Sequence, residues 1–85
     1  MATKYKYPVI VEKGETNYGV YLPDIDGCIA VGNTAEEALD RMKGAFRMHL
    51  GAMVRDGDFI PQPSPVEAIH PVEGVETIDY VEVEI

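Results

Sequence analysis

One cysteine and two histidines are the side chains here best suited to nucleophilic or metal chemistry. Cys28 has no Lys, Arg or His close in sequence to lower its pKa, so it reads as a small buried hydrophobe and not as a nucleophile. At about 100° per residue, His49 falls inside an apolar helical stripe with Met42, Phe46 and Met53. That is the position of a hydrogen-bonded core or interface histidine. His70 precedes Pro71 in an irregular stretch and has no reason to pair with His49. Nothing in this set makes a centre for catalysis, and no cofactor is expected.

The totals point the same way. A lone cysteine closes no internal disulfide, which fits a reducing cytoplasm. Lys and Arg number 7 against 15 Asp and Glu, for a net charge of −8. Phosphates need cations, so direct nucleic-acid binding is not expected. A basic protein partner suits the charge, although plain solubility explains it more simply. No apolar run reaches the length of a membrane span, and the leading MATKYKYP is no signal peptide. The 85 residues make a single domain, 1–85. A domain this small buries only about 60–65% of its unfolded surface, so homo-oligomerisation is expected to support it.

The element that must position everything else is Gly32 to Gly57, a long amphipathic helix with its own start and stop signals. Thr34 is the expected N-cap, its hydroxyl accepting from the Glu37 amide while Glu37 reaches back to the Thr34 amide. Glu36 and Glu37 place negative charge at the positive end of the helix dipole. Ala35, Ala38, Leu39, Met42, Ala45, Phe46, Leu50 and Met53 share one stripe. Asp40, Gly44, Arg47, Gly51 and Arg55 fall opposite, and Gly57 stands where a left-handed residue ends a helix. Each glycine costs roughly 1 kcal/mol in a helix interior, so Gly44 and Gly51, with Met48 beside them, mark a candidate oligomer contact.

Such a helix needs a sheet to receive its stripe. Lys4 to Lys13 alternates, with Tyr5, Tyr7, Val9 and Val11 on one parity. Pro8 lacks an amide, so that end of the strand is expected to have one unpaired side. Gly14 to Asn17 is a turn, Tyr18 to Leu22 returns, and Pro23 to Gly27 turns again into a short strand from Cys28 to Val31. Pro61, Pro63 and Pro65 make a stiff connector, and Val75 to Ile85 is the last strand. The fold class is α+β, a two-layer β-β-β-α-β unit with one long helix on a small mixed sheet. A right-handed crossover places the last strand beside the first. The sheet edge is a second candidate surface, open to a strand from a neighbour.

Four pieces now stand in a characteristic order: Tyr7-Pro8-Val9-Ile10-Val11-Glu12-Lys13; Tyr18 through Leu22 followed by Pro23-Asp24-Ile25-Asp26-Gly27-Cys28; Gly32-Asn33-Thr34-Ala35-Glu36-Glu37-Ala38-Leu39; and Asp56-Gly57-Asp58-Phe59-Ile60-Pro61-Gln62-Pro63. Together they resemble the N-terminal domain of the HicB antitoxin family, from Tyr7 to about Ser64. The resemblance implies a partial RNase H-like fold and a type II toxin-antitoxin partner, HicA, a small basic ribonuclease that is neutralised by binding and occlusion. Many members carry an added DNA-binding domain. None follows Ile85 in this sequence, so transcriptional autoregulation is not expected, and a stand-alone oligomer without a toxin is the alternative role. Asp26 stands where the family often has Pro, and Asn33 where it often has an acid.

Toxin steering would fall to acidic residues, and Asp24, Asp26, Glu36 and Glu37 are the candidates because they are expected near one end of the fold. The RNase H-like likeness also raises a metal-dependent nuclease, with Glu12, Glu36 or Glu37 and Asp79 gathered on Mg²⁺. Capping already accounts for Glu36 and Glu37, and solvent exposure for Glu12 and Asp79.

Overall fold

The first strand alternates in sequence, but its centre, Tyr7 to Val11, is buried on both faces and not on one. In the computed structural model, which describes residues 2–85, β1 spans Lys4–Lys13, β2 Tyr18–Tyr21 and β3 Ile29–Gly32. Helix α1 follows over Ala35–Asp56, and β4 spans Glu76–Glu84. The sheet order is β3-β2-β1-β4, so the last strand does lie beside the first.

Every pairing is antiparallel, which corrects the mixed sheet expected from sequence. The reason lies in the chain between α1 and β4. It is held near the helix C-terminal end by the Tyr7 hydroxyl, which donates to the Pro61 carbonyl, and by Ser64 on Asp24. It then reaches the opposite end, where Lys13 N–H donates to Val75 O at 2.8 Å. β4 therefore starts beside the helix N-terminus and runs with the helix, against β1. Within the connector, Val66–Ala68 forms one 3₁₀ turn.

Backbone polarity follows from two points. Thr3 and Ile85 exchange both amide–carbonyl bonds, at 2.7 and 2.9 Å. With the register Lys4↔Glu84, the odd-numbered residues of β1 direct their backbone groups to β4. Ile10 and Glu12 direct theirs to β2. Lys4, Lys6 and Pro8 point the same way but lie beyond the end of β2, so they face an open side. The missing amide of Pro8 thus forfeits no ladder bond, as the sequence led one to expect.

The helix begins and ends as its capping residues dictate. Thr34 is extended and accepts from the Glu37 amide at 3.0 Å, and Gly57 closes the helix at φ 71°. Glu37 reaches back to the amide of Asn33 at 3.0 Å, one residue before the expected Thr34 amide. Ala38, Met42, Phe46 and Leu50 are fully buried, with Ala35, Leu39, Ala45 and Met53 partly buried beside them. They meet Tyr7, Val9, Val11, Val20, Val81 and Val83 from the sheet and Leu22, Ile25 and Cys28 from its turn. The Tyr7 and Phe46 rings meet edge to face with centroids 5.4 Å apart. Each large side chain buried here contributes about 1.5–3 kcal/mol relative to exposure. Among the described residues no helix is long and apolar enough to cross a membrane.

Candidate protein-binding surfaces

The fold leaves three kinds of surface open: the outward helix face, the turns and helix start that carry acids, and the sheet edges. On the helix, a Cβ built on Gly44 or Gly51 meets nothing within 4 Å. No close contact inside this chain requires either glycine. Met48 lies between them and is 78% exposed. An unbranched, polarisable side chain between two gaps is suited to packing against another surface.

The four acids do not gather. Asp24 and Asp26 lie in the turn between β2 and β3, at the connector end, where Asp24 is close enough to Tyr7 to help raise its phenol pKa, behind the larger effect of burial. Glu36 and Glu37 begin the helix at the other end. The cause is β3 itself: it runs the whole length of β2, from beside the middle of β1 to the Lys13 end of the sheet, and so separates the turn from the helix start. Two of the four also have internal tasks. Asp24 accepts from the Ser64 amide at 2.9 Å and from the Ser64 hydroxyl. Glu37 caps the helix and pairs with Arg41 at 3.3 Å. Asp26 and Glu36 are exposed and make no side-chain hydrogen bond or salt bridge among the described residues.

The metal arrangement also fails on geometry. Glu12 shares a sheet face with Ile10, whereas Asp79 pairs with Val9 and shares the opposite face with Val81 and Val83. Among the described residues no group of three or more His, Cys, Asp or Glu is placed to hold a metal ion. His49 is half-buried at the margin of the helical stripe, and its ring makes none of the hydrogen bonds found among the described residues. Phe46 and Leu50, one turn apart, take the core seats instead. Cys28 is buried as expected, its sulfur 3.6 Å from that of Met42, and burial pushes the thiol pKa up.

The two sheet edges differ in chemistry. β4 presents Glu76, Asp79, Glu82 and Glu84 within nine residues. Part of this was visible in the sequence, where Glu82 and Glu84 alternate with the buried Val81 and Val83. Glu76 also works inside the chain, accepting from the Tyr21 hydroxyl at 3.0 Å and from the Val72 amide at 2.8 Å. Burial first, then Glu76, raises the Tyr21 pKa. β3 carries no charge of its own and exposes Ile29 and Val31. Arg41 reaches across from the helix and donates to the Val31 carbonyl at 3.0 Å.

A long helix against this four-stranded sheet is also the pattern of known proteins. The family model described as the HicB-like antitoxin of bacterial toxin-antitoxin systems matches residues 7–84. The chain belongs to the HicB-like antitoxin family. It is 36% identical over 64 residues to Antitoxin HicB 2 of Photorhabdus laumondii, covering 75% of this chain and 46% of that one. A protein of Haemophilus phage HP1 is 36% identical over 61 residues, again with 46% of its length matched, so this HicB-like chain spans about half of both relatives.

Solved structures agree on the fold of this HicB-like chain. The N-terminal domain of Burkholderia pseudomallei antitoxin HicB superposes with a TM-score of 0.74 at 28% identity, covering 93% of this chain and 98% of that one. A chain from a HicA3 and HicB3 toxin-antitoxin complex superposes with a TM-score of 0.68 at 29% identity, covering 91% and 95%.

Proposed function

We propose that this chain is an antitoxin domain that binds a HicA-type ribonuclease and silences it by covering its RNA-binding and catalytic surface, with no chemistry of its own. Its likeness, over almost its whole length, to a chain from a toxin-antitoxin complex carries this reading. The net charge of −8 supports it, because a basic nuclease is attracted over a distance of about one Debye length, roughly 10 Å. Asp26 and Glu36 are the carboxylates free to steer it. Asp24 and Glu37 contribute charge from fixed positions. The helix face of Gly44, Met48 and Gly51 is a further contact for a second chain.

Co-expression with a HicA-like protein encoded beside this chain tests the reading. Growth arrested by the toxin should resume, and the two proteins should copurify. Failure of both, with the toxin active and this chain folded, would leave the stand-alone oligomer as the role.

A further inference from the structure

We infer that β3 is a homodimer edge, where two copies pair antiparallel across a two-fold axis with Ile29 opposite Val31 of the other copy. The orientation of the backbone sets this up. Leu22 N–H donates to Cys28 O at 3.3 Å, and the register pairs Val20 with Ala30 and Tyr18 with Gly32. Residues 28, 30 and 32 therefore turn their backbone groups to β2, and Ile29 and Val31 turn theirs outward. Among the described residues, the Ile29 amide and carbonyl and the Val31 amide have no partner. The Val31 carbonyl has only the Arg41 guanidinium.

Two outward residues separated by one inward residue form a self-complementary set. Placing Ala30 of each copy on the two-fold axis sets Ile29 against Val31 twice, and each pair exchanges both of its backbone bonds. The side chains agree with this register. Ile29 is 65% exposed and Val31 51%, and both project from the sheet face away from the helix, so each lies across from the other's counterpart as a β-branched pair.

Charge selects this edge over the other. The acids of β4 repel a second copy of a chain that is already strongly negative, the usual protection of an edge strand. β3 has Asp26 at its entry and Arg41 at its exit. Antiparallel pairing brings the Arg41 end of each copy to the Asp26 end of the other. The partner amide of Ile29 takes over the Val31 carbonyl, which frees Arg41 toward that carboxylate. A toxin is not needed for any of these contacts, so the dimer stands or falls separately from the antitoxin reading.

Sedimentation velocity on the full chain, from micromolar to millimolar, tests the inference. The unaltered chain should show a monomer–dimer equilibrium. Val31→Pro removes only an outward amide, as Pro8 does in β1, and Ile29→Lys adds charge without touching the backbone. Each should weaken the dimer at least about tenfold, a loss that dimer hot-spot substitutions commonly reach, while circular dichroism of the monomer is retained. Phe59→Lys, at an exposed position on the chain that follows α1, should leave the dimer unchanged. A chain that stays monomeric throughout overturns the inference. So does a dimer indifferent to Ile29→Lys, or one dissociated by Phe59→Lys.

Discussion

Gly32, the last residue of β3, lies so close to Ala38 in the first turn of α1 that a Cβ on it would sit 2.6 Å from the Ala38 nitrogen. The same Cβ would lie 3.0 Å from the Ala38 Cα and 3.0 Å from the Glu37 carbonyl carbon. All three are backbone atoms, and the turn they belong to is fixed by the Thr34 cap. Gly32 is therefore required by close approach, not by a special φ. Gly32→Ala should destabilise the fold by about 1–3 kcal/mol through overpacking. Thermal melts should show a fall of several degrees. Gly44→Ala is the control: with open space around it, the change should stabilise by up to about 1 kcal/mol.

The helix start offers a second measurement. Thr34→Ala removes the acceptor for the Glu37 amide and should cost about 1 kcal/mol. That corresponds to a fall in Tm of about 4–8 °C for a domain of this size. Glu37→Ala removes the reciprocal bond to Asn33 and the Arg41 pair together. Both bonds fix the same first turn, so the double variant Thr34→Ala, Glu37→Ala should lose less than the sum of the single ones.

The helix was the most legible part of the chain because its signals are local. Thr34 and Gly57 act within one turn, and the Ala38, Met42, Phe46, Leu50 stripe repeats at a fixed angle. Pro8 was legible for the same reason, since a missing amide must face an unpaired side. What the sequence hid depends on where distant segments return. Nothing local tells β4 which way to run, and the connector's anchoring at Pro61, Ser64 and Val75 decides it. Asp24 and Glu37 look like neighbours along the chain, yet the turn into β3 and the strand itself set them at opposite ends. An open sheet edge was legible as a candidate surface, but not which edge, because a four-residue apolar run does not announce that it lacks a second neighbour.

High pH should loosen the fold in a defined window. Burial holds the Cys28 thiol above its ordinary value of 9.0 and the Tyr7 and Tyr21 hydroxyls above 10.0. Each group keeps its proton more tightly folded than unfolded. Their contribution to stability is therefore whole below the unfolded pKa values and is lost as pH rises through the raised folded values. The Tm should be flat with respect to these groups up to about pH 8 and fall beyond pH 9–10. Tyr21→Phe should start from a lower Tm, having lost its bond to Glu76, but fall less steeply over the alkaline range.

The two acids of the β2–β3 turn should separate folding from association. Asp24 binds Ser64 through both the amide and the hydroxyl, and so holds the connector to the turn. Asp24→Ala leaves that amide without its acceptor and should lower stability by about 1.5–3 kcal/mol, the range for hydrogen bonds to a charged group. Hydrogen exchange at the Ser64 amide should speed up in step. Asp26 is exposed and holds nothing, so Asp26→Asn should leave the melt within about 0.5 kcal/mol of the parent. With a HicA-type partner, the effect of Asp26→Asn should instead fall on the association rate, as a modest loss that fades as salt is raised. Stopped-flow binding at low and high salt measures this. If Asp26→Asn lowered the melting temperature as much as Asp24→Ala does, its carboxylate would have to be holding the turn together, and its assignment to steering would be wrong.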